Sequence, residues 1–111
     1  YNQQRYDMAL QKFNEAVRID GKFSLAIHNR GAVYKILGFT DKSLDDYSKA
    51  IELNPNYGQA YYNRAVIFSE RQEYKKAYDD ALNAVKSGFV INESFLKELE
   101  SKSSQNLTPP K

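Results

Sequence analysis

The stretch AIHNRG at residues 26–31 recurs 34 residues later as AYYNRA at residues 60–65, with the central Asn-Arg pair unchanged. The same offset joins Ala50 to Ala84 further along the chain. A period in this range marks a stack of supersecondary units, each too small to bury its apolar face without its neighbour. The repeat therefore predicts a binding scaffold, although it does not identify the partner.

The apolar residues around these stretches predict a helical hairpin in each unit. Their three- and four-residue spacing indicates helices over about residues 25–37 and 44–53. Between them, GFTD at residues 38–41 is expected to stop the first helix at its glycine and to cap the second with a side chain. The proline of NPN at residues 54–56 closes the hairpin, because proline cannot continue a helix.

A second hairpin is predicted over about residues 58–87, with its turn near residues 71–73 and its end at Gly88. Beyond it, Asn92 is expected to cap a short helix that covers the apolar end of the stack. The predicted segments are, in order, the second half of a truncated first unit (1–23) with a helix from Asp7 to Ile19, two whole units (24–57 and 58–91), a capping helix (92–100) that presents Phe95, Leu96 and Leu99, and a disordered tail (101–111).

Composition restricts the class of protein. The 111 residues suit a single domain, and they include no cysteine, which excludes disulfides and thiolate metal sites. No apolar run approaches the roughly 20 residues of a membrane span, and no secretory signal opens the chain, so we expect an intracellular, cytoplasmic protein. The 16 basic and 14 acidic side chains are interspersed and leave a net charge of +2. That balance predicts binding to neither nucleic acid nor a membrane.

The pattern of residue sizes resembles the tetratricopeptide repeat, a 34-residue helix pair with small residues at its eighth, twentieth and twenty-seventh positions. The small residues are Gly31, Ser43 and Ala50 in one unit and Ala65, Ala77 and Ala84 in the next; the bulky positions hold Tyr34, Tyr47 and Phe68, and Pro55 ends the first unit. The second unit departs from the pattern at Ala81, where an aromatic residue is usual, and at Phe89, where proline is usual. The resemblance implies an all-α fold, a right-handed superhelical stack of antiparallel helix pairs with a C-terminal capping helix.

The resemblance also implies a concave groove lined by the first helix of each pair. The candidate groove residues are Leu25, His28, Asn29, Ala32 and Lys35 in one unit and Gln59, Tyr62, Asn63 and Val66 in the next. The two asparagines matter most, because a side-chain amide can donate to a peptide carbonyl and accept from a peptide N–H at once. The alternatives are that each asparagine bonds to water or to a neighbouring helix, and that His28 is an ordinary surface histidine.

Two arginines and two aspartates recur at the same offset and are predicted to form structural ion pairs between packed helices, namely Arg30 with Asp46 and Arg64 with Asp80. No catalytic, cofactor or metal site is predicted. The single histidine, His28, has no nucleophile, orienting carboxylate or second good metal ligand that the sequence places beside it.

The predicted function is a non-enzymatic adaptor that holds an extended peptide or a partner helix in the groove. The carboxylate-clamp type of this family, which binds acidic tails of heat-shock chaperones, is incomplete here, because Gln59 and Asn63 stand where lysine and arginine are expected. Two alternatives stay open. The apolar face of the N-terminal helix can form a homodimer, or the chain can be the targeting or regulatory segment of a larger enzyme or co-chaperone.

Overall fold

Six α-helices make up the fold of residues 2–107, the part of the chain that a computed structural model describes. The helices are α1 (Gln3–Ile19), α2 (Ser24–Ile36), α3 (Thr40–Leu53), α4 (Gly58–Glu70), α5 (Tyr74–Lys86) and α6 (Glu93–Leu107). Within this part of the chain there is no strand, which confirms the predicted all-α class. None of the helices searched there has both the length and the apolar character required to cross a bilayer.

The helices fall into two compact units, Tyr1–Pro55 and Asn56–Lys111. In a chain built from repeats each helix packs mainly on the helices next to it along the sequence.

In the first unit α2 and α3 form the predicted hairpin, and α1 packs against α2. The two hairpin helices approach closely at Gly31, where an added Cβ would lie 3.1 Å from both the Asp46 Cβ and the Tyr47 ring. Ala50, one turn beyond Asp46, is fully buried. Small side chains thus occupy positions where a larger residue would force the helices apart.

In the second unit α4 and α5 form the second hairpin, and α6 packs against α5. Its core joins Ala65, Ala77 and Ala81 to Leu99 of α6. Ala81 stands at the position of Tyr47 in the first unit, and Leu99 packs beside it. A side chain from another helix thus supplies apolar volume next to the alanine that replaces the usual aromatic residue.

Three of the helices end in one hydrogen-bonded motif. After α2 the Phe39 N–H donates to the Tyr34 carbonyl at 2.8 Å, and Gly38 takes a positive φ of 89°. Gly88 after α5 also takes a positive φ, of 93°, and so does Gln72 after α4, with a φ of 64°. Glycine favours this left-handed conformation, whereas glutamine adopts it at a cost.

Two predicted helix starts need correction. The N-cap of α3 is Phe39, which makes no side-chain hydrogen bond. The prediction that a side chain of GFTD caps α3 is therefore wrong. The chain enters α3 directly after the turn at Gly38, and the polar residues of that stretch already lie inside the helix. The first helix begins at Gln3 rather than Asp7, because the Asn2 side chain accepts from the Arg5 N–H at 3.2 Å and caps it there.

The last helix is longer than predicted. Asn92 caps it as expected, accepting from the Ser94 N–H at 2.8 Å, but α6 continues to Leu107. The predicted disordered tail is therefore wrong for residues 101–107, and its remainder, residues 108–111, lies outside the described residues. The extension persists because Ser103 is buried one turn after Leu99 and because Lys102 pairs with Glu98 at 3.2 Å. The role of α6 as a cap stays a prediction.

Candidate functional site

The first candidate surface is one face of α2, here called the α2 strip, which consists of Leu25, Asn29, Ala32 and Ile36. Spacings of three and four residues place these side chains on one side of the helix. Leu25 is 52% exposed and Ile36 is 46% exposed, whereas Asn29 and Ala32 are half-buried. The strip therefore presents an amide between two accessible aliphatic side chains. Lys35, predicted to join it, is half-buried beside Ile36.

His28 does not belong to this surface, although the sequence placed it there. Only 3% of His28 is exposed, and its ring lies 5.4 Å from the Tyr47 ring of α3. Its Nδ1 lies 3.1 Å from the Asn29 Oδ1, and because that oxygen can only accept, Nδ1–H is the donor. The predicted groove contact is wrong because α2 turns this residue towards its hairpin partner.

Burial lowers the pKa of His28, and the hydrogen bond to Asn29 opposes that shift in part. The folded state therefore favours the neutral ring. Above the unfolded pKa of about 6.5 the ring is neutral in both states and the associated stability is complete. As the pH falls through that value, the unfolded chain takes up the proton more readily, and stability is lost.

Unfolding by urea at about pH 7.5 and about pH 5.5 tests this effect. We expect the native chain to lose more stability between the two conditions than the His28→Gln variant, which keeps a hydrogen-bonding side chain but does not titrate. The carboxylates are common to both proteins, so the difference between the two losses isolates His28. Equal losses would contradict the assignment.

The second candidate surface is the α4 strip, which consists of Gln59, Tyr62, Asn63 and Val66. Gln59 is exposed and the other three are half-buried. The Tyr62 ring lies 5.1 Å from the ring of Phe89 and 5.9 Å from that of Phe95, so an aromatic cluster fixes it. Tyr62 can thus offer a ligand only the part of its ring that this cluster leaves open. The α2 and α4 strips belong to different units.

The two predicted ion pairs are present and have the same geometry. Arg30 donates from Nε to Asp46 Oδ2 and from Nη2 to Oδ1, both at 2.8 Å. Arg64 donates in the same way to Asp80 at 2.7 and 2.8 Å. The aspartate side chains are only 8% and 6% exposed, and the arginines 21% each. These pairs join α2 to α3 and α4 to α5, and hydrogen bonding to the carboxylates raises the pKa of both arginines.

Sequence reasoning missed the other contacts of these arginines. Arg30 donates from Nη1 to Asn14 Oδ1 of α1 at 3.1 Å, and its guanidinium lies 5.8 Å from the centre of the Tyr34 ring. Arg64 lies 5.8 Å from the Phe68 ring in the equivalent position. The signal for the ring contacts was present, since an aromatic residue follows each arginine by four positions. The residue 34 positions after Asn14 is Ser48, so Asn14 does not recur in the repeat. The repeat pattern therefore did not predict the contact of Asn14 with Arg30.

Comparison with known proteins gives matches of two kinds. A family profile described as tetratricopeptide repeat matches residues 25–57, and another with the same description matches residues 46–79. No curated protein gives a match to the sequence. Among solved structures, MamA superposes with a TM-score of 0.73 at 20% identity over 76% of this chain, which spans only 49% of the MamA chain.

Two further solved structures are of complexes. The TPR2B domain of yeast Sti1, solved as a complex with pHsp70, gives a TM-score of 0.75 at 23% identity, covering 93% of this chain and 86% of that one. The first TPR of Spaghetti (RPAP3), bound to the HSP90 peptide SRMEEVD, gives a TM-score of 0.78 at 23% identity. That match covers 96% of this chain and 83% of the other. At these identities the likeness concerns the fold alone.

Proposed function

We propose that this chain, which belongs to the tetratricopeptide repeat family and is a protein-interaction module, binds a short extended peptide on the exposed face of α2 and, as a separate site, on the exposed face of α4. Repeats of this family are typically not catalytic, and the two strips offer recognition chemistry rather than a reacting group. The observation that carries the proposal is the α2 strip, in which the Asn29 amide lies between the accessible side chains of Leu25 and Ile36.

The dimensions of the α2 strip suit a peptide of a few residues. Leu25 and Ile36 are separated by about 16 Å along the helix axis, a length that about five extended residues span. Side chains of such a peptide would contact the two aliphatic ends, while its backbone would reach the amide between them. The Asn29 Oδ1 already lies beside His28 Nδ1, so we expect the amide nitrogen to donate to a peptide carbonyl.

The α4 strip offers a more polar surface for the same kind of ligand. Gln59 and Asn63 both carry amides, and Val66 adds a small apolar contact. An amide that bonds a peptide backbone imposes little sequence preference, because every peptide unit carries one donor and one acceptor. Side-chain selectivity would then come from the apolar parts of the two strips.

The charges on these helices argue against an acidic tail as the ligand. Arg30 and Arg64 are engaged with buried carboxylates, so they are not positioned to bind a carboxylate from outside. Gln59 and Asn63 of the α4 strip are uncharged. Beside the α2 strip, Lys35 supplies a single positive charge. The pHsp70 and HSP90 ligands of the two related structures are therefore not the ligands that we propose for this chain. We propose an uncharged, partly apolar peptide.

A peptide array followed by titration calorimetry tests the proposal. Hexapeptides of acidic, basic and apolar composition are screened first, and the strongest ligand is titrated into Asn29→Ala, Asn63→Ala and the double variant. We expect each single change to weaken binding at its own strip about fivefold, the cost of one lost hydrogen bond, and the double change to weaken binding at both strips. Asn83→Ala, the same substitution on α5, is the matched control and should bind as the native chain does.

Two results would contradict the proposal. The first is equal affinity of the native chain and the double variant, with circular dichroism showing that both keep their helices. The second is an array on which no apolar peptide binds. The peptide SRMEEVD serves as the acidic probe, and micromolar binding of it would contradict the preference for uncharged ligands.

A further inference from the structure

The second unit departs from the repeat at Tyr62, whose ring lies in different surroundings from its counterpart 34 residues earlier. That counterpart is His28, which is 3% exposed and packs on the Tyr47 ring of its hairpin partner. In the second unit Ala81 stands at the position of Tyr47, so the hairpin partner offers no ring. Tyr62 is half-buried and belongs to the α4 strip. The second unit thus presents an aromatic residue where the first unit buries a histidine.

Two phenylalanines from outside α4 contact the Tyr62 ring. Phe89, in the connection between α5 and α6, lies 5.1 Å from it with the ring planes at 30°. Phe95 of α6 lies 5.9 Å from it with the planes at 71°, and it also packs against the buried cluster of the second unit. Aromatic pairs favour distances and angles of this kind. Tyr62 therefore takes its ring contacts from α6 and from the connection before it.

A glycine allows Phe89 to approach α4. A Cβ added at Gly58 would lie 2.8 Å from the Phe89 Cβ, closer than such carbons approach in folded proteins. The first unit has Ser24 and Pro55 at these two positions, so serine and proline are replaced together by glycine and phenylalanine. The Phe89 N–H also donates to a carbonyl of α5 at 3.0 Å, a bond that proline could not make. Both departures from the repeat thus favour a ring beside Tyr62.

We propose that Phe89 and Phe95 are positioning residues for Tyr62, and that the ring they hold makes the α4 strip selective for a peptide with an aromatic side chain. This inference rests on the proposed function of the α4 strip. Because the two phenylalanines restrict the Tyr62 ring before a ligand arrives, less side-chain freedom is lost on binding. An aromatic side chain of the peptide would continue the ring packing that is already present.

The surroundings of the three rings favour an aromatic side chain over a cationic one. Elsewhere in the fold cations already lie beside aromatic rings, as Arg64 and Lys76 do at Phe68. Within residues 2–107 no cation lies beside Tyr62 or the two phenylalanines that contact it, so cations do not occupy their remaining surface. The α4 strip itself contains no carboxylate. A lysine or arginine of the peptide would therefore lose water without gaining a charged partner on the strip.

An NMR titration with three synthetic peptides tests the inference. The probes are the acetylated hexapeptide amides SGFSGS, SGASGS and SGKSGS, which differ in one side chain, and affinity is read from the amide resonances of α4. We expect the phenylalanine peptide to bind about fivefold more tightly than the alanine peptide, the gain from one added aromatic contact. The lysine peptide should bind no better than the alanine peptide.

Two variants test whether the neighbours of Tyr62 set this preference. Phe89→Leu keeps an apolar side chain but removes the ring, and Gly58→Ala keeps all three rings but displaces Phe89. In both proteins the preference should fall below about twofold, while the alanine peptide binds as before. Phe89→Tyr restores the ring and should restore the preference. Val90→Leu, a change at the adjacent and 91% exposed position, is the matched control and should leave it unchanged.

Failure of the binding strip and failure of its selectivity give different results. If none of the peptides shifts the α4 resonances at millimolar concentration, binding at the α4 strip is refuted and this inference with it. Equal affinity for the phenylalanine and alanine peptides refutes the inference alone, as does a preference for the lysine peptide. A preference that survives in Phe89→Leu and Gly58→Ala proteins, both folded by dichroism, refutes the positioning role. Phe95→Leu tests the second ring contact in the same way should either variant unfold.

Discussion

Replacing Ala50 with leucine is expected to lower the free energy of unfolding by about 3 kcal/mol, the upper part of the range for overpacked cores. Ala50 is fully buried in the hairpin that closes around Gly31, where the helices already lie within van der Waals contact. The three added carbons have no space, so α3 must move away from its neighbours or leucine must take a strained rotamer. Urea denaturation followed by circular dichroism measures the loss.

Asp45→Leu is the matched control for this substitution, because it adds a leucine to an exposed position of the same helix. We expect it to change stability by less than about 0.5 kcal/mol. An Ala50→Leu protein with the unfolding midpoint of the native chain would refute the assignment of Ala50 to the closely packed positions.

Replacing Asp80 with alanine is expected to cost about 3 kcal/mol of unfolding free energy. The carboxylate accepts both bonds of the Arg64 fork and is almost completely buried, so its removal leaves a partly buried guanidinium without its charged partner. An exposed pair would be worth only about 0.2 to 1 kcal/mol. The larger figure applies because the aspartate is withdrawn from water.

Asp79→Ala is the natural control for Asp80→Ala, since the neighbouring carboxylate is exposed and pairs with Lys75 at 3.2 Å on the surface of α5. We expect its loss to cost less than about 1 kcal/mol. The exchanged pair, Arg64→Asp with Asp80→Arg, should recover most of the stability that Asp80→Ala loses. If the exchanged protein were as unstable as Asp80→Ala, the charge pairing would not be the source of the loss.

The hairpins and the ion pairs were predictable because the residues that form them occur twice in the sequence, 34 positions apart. Two residues that both recur at a fixed offset keep their pairing in both units, as Arg30 with Asp46 and Arg64 with Asp80 do. The closely packed positions were predictable as well, because only small side chains allow two helices to approach closely and these small residues also recur at the fixed offset. What repeats in the sequence therefore repeats in the packing.

Features that occur once were harder to predict. His28 looks like a surface residue because it is polar, yet α2 packs on both α1 and α3, and a helix with two neighbours buries positions outside a single apolar stripe. The end of α6 was missed because residues 101–107 are mostly polar and have no counterpart elsewhere in the chain. Individual side-chain contacts, such as that of Lys102 with the Tyr74 ring, are made by this part of the helix and have no periodic signal in the sequence.

The packing of Leu99 beside Ala81 makes α6 an internal component of the second unit. A protease that cut the connection at residues 87–92 would not simply trim an end, since it would detach the side chain that completes the alanine-rich centre of α4 and α5. The remaining hairpin would then expose part of the cluster of Ala65, Ala77 and Ala81 to water. Degradation starting at that connection would then spread through the whole unit.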